Sequence, residues 1–210
     1  SSGGSFLYHI EDNQVVVGLI TDLSYTNPHV SPFDEFQRLK HHPKFAQYLE
    51  GGERLSYGAR ALVKGGIQAL PKMAFPGGLI IGCDAGTLNF AKIKGSHTAM
   101  KSGLVAAETV TAALNADRSN DLLEEMDTNF KNSWAYKELY MQRNFGPAQH
   151  KWGNIIGSAY AFVDINIFNG KLPWTLKDMK PDHETLVKAA DAKPKTSPRK
   201  STVSNWDPID

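Results

Sequence analysis

The sequence predicts an α+β fold. Residues 1–70 form a mixed or antiparallel sheet, 71–116 a strand–loop–helix unit, 117–176 helices, and 177–210 an extended tail. Three observations lead to it. Short β-branched and aromatic runs separated by glycine and polar turns fill the first third of the chain. A glycine-punctuated loop then leads from an apolar strand into an alanine-rich run of helical spacing. A longer segment with large apolar residues every fourth position follows.

In order along the chain, residues 5–10 and 15–20 are apolar runs on either side of Glu11-Asp-Asn-Gln14, the pattern of a hairpin. After a turn at Asn27-Pro28, Ser31-Pro32 places an N-cap and a first-position proline before Asp34, Glu35 and the apolar Phe33, Phe36 and Leu39. That helix should end near His41-His42-Pro43. Gly51-Gly52 and Gly65-Gly66 bracket residues 54–62, which with the short run 67–70 read as further strands separated by glycine turns. From Phe75 the chain gives a turn, a buried-type strand at 79–81 and the loop Gly82-Cys-Asp-Ala-Gly86. A helix starts near Ser96, with Met100, Leu104, Ala107 and Leu114 at helical spacing. Its small residues Ser102, Gly103, Ala106 and Ala107 let the axis approach a sheet or a flat ligand. A second helix is expected over 122–142, carried by Leu122, Met126, Phe130 and Trp134 and ended by Gly146-Pro147. Residues 155–170 hold one charge, Asp164, among large apolar side chains, which suits a buried or interfacial helix.

Composition narrows the function classes. The 210 residues carry 23 basic and 22 acidic side chains, a near cancellation that argues against nucleic acid as a partner. With 41% hydrophobic and 21% charged residues the chain has material for a core, and no run approaches the roughly 18 apolar residues of a membrane span. The single cysteine, Cys83, excludes an intrachain disulfide and any cysteine-based zinc or iron–sulfur site built from this chain alone. The opening Ser1-Ser2-Gly3-Gly4 has no methionine and no signal-peptide pattern, so the chain reads as an internal part of a longer protein.

Neither glycine-rich place has the spacing of a P-loop or a dinucleotide fingerprint. Gly82-Cys-Asp-Ala-Gly86 is weak by itself, but its context is more specific: strand, glycine loop, about ten residues, then a helix start bearing Ser96, His97 and Thr98. That is the layout of the second flavin-contacting motif in flavoproteins of the glutathione-reductase type. The physics agrees with it. Reduction puts negative charge on one edge of the isoalloxazine, and a helix N-terminus offers free N–H groups and about half a positive charge.

Longer strings carry a closer likeness. Gly3-Gly4-Ser-Phe-Leu-Tyr-His9, Ser31-Pro-Phe-Asp-Glu-Phe-Gln-Arg38, Tyr57-Gly-Ala-Arg-Ala-Leu62, Phe75-Pro-Gly-Gly-Leu79, Lys92-Ile-Lys-Gly-Ser-His-Thr-Ala-Met-Lys-Ser-Gly103 and Lys131-Asn-Ser-Trp134 resemble the electron transfer flavoprotein-ubiquinone oxidoreductase family. The resemblance runs from residue 3 to about 176. It implies a monotopic membrane enzyme that passes electrons from reduced electron transfer flavoprotein through a four-iron four-sulfur cluster and FAD to ubiquinone. On it, residues 1–70 belong to a ubiquinone-binding domain, 71–116 to the closing part of a glutathione-reductase-type FAD domain, and 117–176 to a helical, membrane-associated segment. Gly3 and Gly4 would present backbone amides to the quinone. Gly82, Cys83, Asp84, Gly86, Ser96, His97, Thr98 and Met100 would be the returning FAD contacts.

Within that frame several alternatives stay open. The flavoprotein pattern has aspartate directly after the first glycine, whereas Cys83 stands there and Asp84 follows, so either residue faces the ribityl chain. Ser96 and Thr98 meet the flavin edge or cap the helix. His41 and His42 point to a helix end rather than to a metal. The stretch from Trp152 to Trp174 is membrane-facing or a core helix. Lys193, Lys195, Arg199 and Lys200 touch anionic headgroups or sit in a solvated tail. The family's N-terminal GxGxxG unit and its cluster-binding cysteines are not in this sequence, so the cluster would belong to the parent protein. The resemblance implies the matrix face of the mitochondrial inner membrane or the bacterial cytoplasmic membrane. Competing readings are an FAD-dependent monooxygenase or geranylgeranyl-reductase-like enzyme, and a non-catalytic piece that binds lipid or protein.

Overall fold

Two eight-residue strands, β1 (Gly3–Ile10) and β2 (Gln14–Thr21), pair antiparallel from Gly3↔Thr21 to Ile10↔Gln14 in a computed structural model that describes residues 3–23 and 30–177. The turn between them sets Asp12 and Asn13 at φ 58° and 54°, and the Gln14 N–H donates to the Glu11 carbonyl at 3.3 Å. Asp and Asn tolerate the left-handed region better than other non-glycine residues, so the polar turn can match the twist of the strands. The turn expected at Asn27-Pro28 and the basic tail lie outside the described residues.

Helix α1 (Pro32–Lys40) begins as its sequence dictates, with the Ser31 hydroxyl accepting the Asp34 N–H at 3.2 Å and proline in the first turn. It packs on β2. The two histidines then divide their roles. His41 is the C-cap of α1, while His42 is the N-cap of α2 (Pro43–Leu49) and accepts the Lys44 N–H on Nδ1 at 3.2 Å. The helix-end role shared by the pair is thus split: His41 ends α1, whereas His42 starts α2. Among the described residues this compact unit runs to Ala59, and a second one begins at Arg60.

The expected strands at 54–62 and 67–70 do not form. Residues 53–65 carry no regular element, and Gly66–Ala69 is a 3₁₀ turn entered through Gly66 at φ 61°. A strand closes its hydrogen bonds only on a neighbour, and among the described residues no strand pairs with this segment. Of the apolar run at 79–81, Leu79 is in a strand: β3 (Ala74–Phe75) and β4 (Gly78–Leu79) form a two-residue ladder across the Pro76-Gly77 turn.

The second unit is built on α3 (Ser96–Asn115). Its buried side lays Val105 and Ala106 against Met73, Ala74, Ala85, Met126, Phe130, Ala135 and Leu139. Two polar ties register this core. Asn129 donates to the Thr109 hydroxyl at 3.0 Å, and the Met73 N–H donates to Asp127 at 3.0 Å.

The single helix expected over 122–142 is two: α4 (Glu125–Asn132) and α5 (Trp134–Met141). Ser133 breaks it at ψ 158°, donating to the Phe130 carbonyl at 2.6 Å and accepting the Tyr136 N–H at 3.3 Å. One serine thus closes one helix and caps the next. Gly146-Pro147, expected as a terminator, instead lies in the first turn of α6 (Phe145–Phe162), where a missing N–H costs nothing. Gly153 at φ 73° interrupts α6, and a π-helical turn, Val163–Ile167, follows it.

Replacing Phe130, 1% exposed at the centre of this core, with alanine should destabilise the chain by about 3–5 kcal/mol. Urea unfolding followed by circular dichroism measures it; a loss under ~1 kcal/mol would show that the α3–α4–α5 core is not packed as described.

Candidate functional site

The glycine loop and the start of α3 meet. After β4 the chain reaches Gly82 at φ 64°, whose N–H donates to the Ser102 hydroxyl at 2.9 Å. Ser102 itself donates to the Ala99 carbonyl at 2.7 Å, so the loop is anchored to the second turn of the helix. The loop closes with Thr87 N–H on the Gly82 carbonyl at 3.2 Å and Gly86 N–H on the Cys83 carbonyl at 2.9 Å. Gly86 is at φ 82°, and a β-carbon there would lie 3.2 Å from Val63. Cys83 is half-buried, whereas Asp84 is exposed and pairs with Arg60 at 3.2 Å.

Gly95 is the N-cap of α3, no side chain caps the helix, and its first turn holds no acid. The capping alternative for Ser96 and Thr98 is therefore not realised. Ser96 is exposed at the first helical position, and Thr98, fully buried, turns its hydroxyl to the Gly95 carbonyl at 2.9 Å. The N–H groups of the first turn are left for something outside the helix. Met100, 76% exposed, stands on the surface with Leu104 and Ile81.

His97 turns the other way. Its Nε2 lies 2.7 Å from Glu138 of α5, and its ring stacks on Trp134 at 5.9 Å between centroids. Glu138 also accepts Asn89 at 2.6 Å and Lys92 at 2.8 Å. Asn89 in turn accepts the Lys92 N–H at 3.1 Å and pairs with Lys94 through both backbone hydrogen bonds. Burial on its own would raise the Glu138 pKa; hydrogen bonds from His97, Lys92 and Asn89, with the charge of Lys92, outweigh it and hold the carboxyl at about 2. Sequence reasoning missed Glu138. Its partners are 41, 46 and 49 residues away, and no local spacing marks it.

Gly3 and Gly4 lie in the first unit, at the start of β1, and differ. A β-carbon on Gly3 would meet the Ile20 carbonyl oxygen at 2.5 Å, so the hairpin itself needs glycine there. A β-carbon on Gly4 would meet nothing within 4 Å. Beyond the α3 start, α6 carries exposed apolar side chains, with Ile155 87%, Ile156 63% and Phe162 63% exposed, and Ile167 at 62% follows in the π-turn. Among the described residues no helix is long and apolar enough to cross a membrane.

Two features stand out: a hairpin with an unobstructed glycine, and a glycine loop against an uncapped helix start. Residues 1–62 match the family model described as ETF-QO, ubiquinone-binding. The electron transfer flavoprotein-ubiquinone oxidoreductase of Pseudomonas aeruginosa is 64% identical over 193 residues, which cover 91% of this chain and 35% of the relative. The mitochondrial proteins of that name from Homo sapiens and Arabidopsis thaliana are 46% and 47% identical, each over 98% of this chain and over 34% and 32% of their own lengths. The chain belongs to the electron transfer flavoprotein-ubiquinone oxidoreductase family and spans about a third of the length of these relatives.

The Glu138 cluster makes a pH prediction. A carboxyl whose pKa falls on folding contributes stability that is present above its unfolded value, about 4.5, and is lost as pH falls through about 2. Glu138→Gln should cost roughly 1–3 kcal/mol at pH 7. The difference from wild type should shrink steadily below pH 4.5. Urea titrations at stepped pH measure it, and a difference constant down to pH 3 would contradict the assignment.

Proposed function

We propose that this chain forms the quinone-side and flavin-return parts of a membrane-associated oxidoreductase that passes electrons from reduced electron transfer flavoprotein, through a four-iron four-sulfur cluster held elsewhere in the protein and FAD, to ubiquinone. The observation that carries the reading is the ubiquinone-binding match over residues 1–62, joined to a glycine loop and an uncapped helix start in the order a flavin needs. The names of the relatives favour it over a monooxygenase or reductase with a substrate pocket.

Gly4 is the better candidate of the two quinone glycines. Its missing side chain is not required by the hairpin, so the free space leaves room for a flat ring to approach the backbone. A backbone N–H brought against a quinone oxygen would stabilise the charge that grows there. Gly3 fixes the strand register that puts Gly4 in place.

The flavin half is supported by fit. Bound FAD would supply the carrier that links one-electron donors to a two-electron quinone. The N–H groups of Ser96, His97 and Thr98 at the uncapped start of α3 suit its anionic edge. Of Cys83 and Asp84, the exposed carboxylate of Asp84 suits ribityl hydroxyls, with Arg60 holding it. Met100 offers an apolar surface beside them. The exposed apolar side chains of α6, rimmed by Trp152 and Trp174, suit a monotopic contact with a membrane surface. One relative is bacterial and another is named mitochondrial, so the membrane proposed for this contact is the bacterial cytoplasmic membrane or the mitochondrial inner membrane.

Two measurements test this. In the full-length protein carrying this sequence, Gly4→Val should lower quinone reduction at least about tenfold while leaving flavin content unchanged. Unaltered quinone kinetics would remove Gly4 from the site. The chain alone should lose FAD on gel filtration, and stoichiometric retention would show that it needs no other part of the protein to hold the cofactor.

A further inference from the structure

The approach to α3 is held by a single carboxylate. Asn89 and Lys92 belong to the tight turn that closes on Lys94, and His97 is the second residue of the helix. All three bond to Glu138, at 2.6, 2.8 and 2.7 Å. Trp134, one turn earlier on α5, stacks on the imidazole. Asn89 is 1% exposed and Glu138 is half-buried, while Lys92 and His97 reach the carboxylate from its more exposed side. The helix has no cap of its own: Gly95 contributes no side chain, and the hydroxyl of Thr98 turns back to Gly95. What orients the first turn of α3 is therefore α5, through Glu138.

We propose that Glu138 is a positioning residue for the flavin: through Asn89, Lys92 and His97 it fixes the turn of α3 whose free N–H groups meet the flavin edge, and its charge offsets the positive end of that helix. The inference rests on the flavin reading given above. It has two separable parts. Geometry requires the hydrogen bonds, because donors held in place before reduction need no reorganisation when charge develops. Electrostatics requires the charge, since a carboxylate beside the helix start opposes the negative charge of reduced flavin.

The test uses the full-length, flavin-loaded protein and two variants numbered as here. Glu138→Gln keeps the size and an accepting oxygen but loses the charge; Glu138→Ala loses both. In Glu138→Gln the reduced-to-oxidised flavin ratio at a fixed potential should rise about threefold, with FAD retained. In Glu138→Ala the FAD dissociation constant should rise at least about tenfold, and amide exchange over residues 89–99 should accelerate. A merely structural role would weaken binding in both variants without raising the ratio in Glu138→Gln, and that result would overturn the proposal. So would wild-type affinity and wild-type potential in both variants. If the wild-type protein holds no FAD, the flavin reading itself fails, and the assignment of Glu138 fails with it. Should Glu138→Ala not fold, the potential of Glu138→Gln decides alone.

Discussion

In the second unit one carboxylate, Glu138, joins residues from separate parts of the chain. Glu138 gathers Asn89, Lys92 and His97 onto α5, and in doing so attaches both the turn before α3 and the first residues of α3 to the helical layer behind them. Burial opposes its ionisation, yet the carboxyl is held at about 2, which means that the donors more than replace the water it has lost. A group in that position stiffens what it touches. The glycine loop benefits at one remove, because Gly82 is tied to Ser102 further along the same helix.

The break at Ser133 makes this joint possible. A continuous helix over 122–142 would have kept Leu122, Met126, Phe130 and Trp134 on one stripe and sent all four into the core. With Ser133 in extended conformation, Met126 and Phe130 stay buried, whereas Trp134 is 49% exposed and lies against His97. The fourfold spacing was legible in the sequence but the break was not. Serine is a good N-cap, but a serine inside a strong apolar period is equally an ordinary helical residue, and only tertiary packing decides between them. The same logic separates the parts of the chain that local chemistry specifies from those it does not. The hairpin turn and the Ser31 cap rest on neighbours within four residues, and these are elements whose sequence signals match their positions. Residues 54–62 have strand-like composition, but a strand needs a partner that composition cannot supply. At the candidate site, the glycine loop was legible from its own pattern, while Glu138 was not, since every contact it makes is distant in sequence.

A comparable device secures the far end of this unit. Arg143, 6% exposed, donates to the carbonyls of Gly170, Leu172 and Trp174 at 2.5, 2.7 and 3.2 Å and to Thr175 at 2.8 Å, and Asn144 donates to Asp164 at 2.8 Å while accepting the Leu176 N–H at 2.8 Å. Two adjacent residues between α5 and α6 therefore fold the segment 170–176 back along the helix. The consequence is on the surface: Trp174 donates to the Tyr160 hydroxyl at 2.7 Å, and Tyr160 in turn packs on Trp152 at 5.0 Å. Among the described residues no acid pairs with this buried cation, and its donors are taken up by backbone carbonyls and the Thr175 hydroxyl. What it gains is a fixed aromatic rim beside the exposed isoleucines of α6, held by polar groups inside the protein and not by the apolar surface itself.

The two glycines at the start of β1 differ in what the fold asks of them. Sequence alone gives them equal weight, as a turn or as a pair of backbone donors. The structure separates them by asking what a side chain would meet. At Gly3 the answer is the Ile20 carbonyl oxygen at 2.5 Å, so the fold accounts for the glycine. At Gly4 it is open space, and Gly4 is not among the glycines with positive φ, so neither packing nor backbone strain demands it. A glycine that the fold does not need also costs conformational entropy. On the reading proposed above, that cost is offset where a flat quinone approaches the backbone closely.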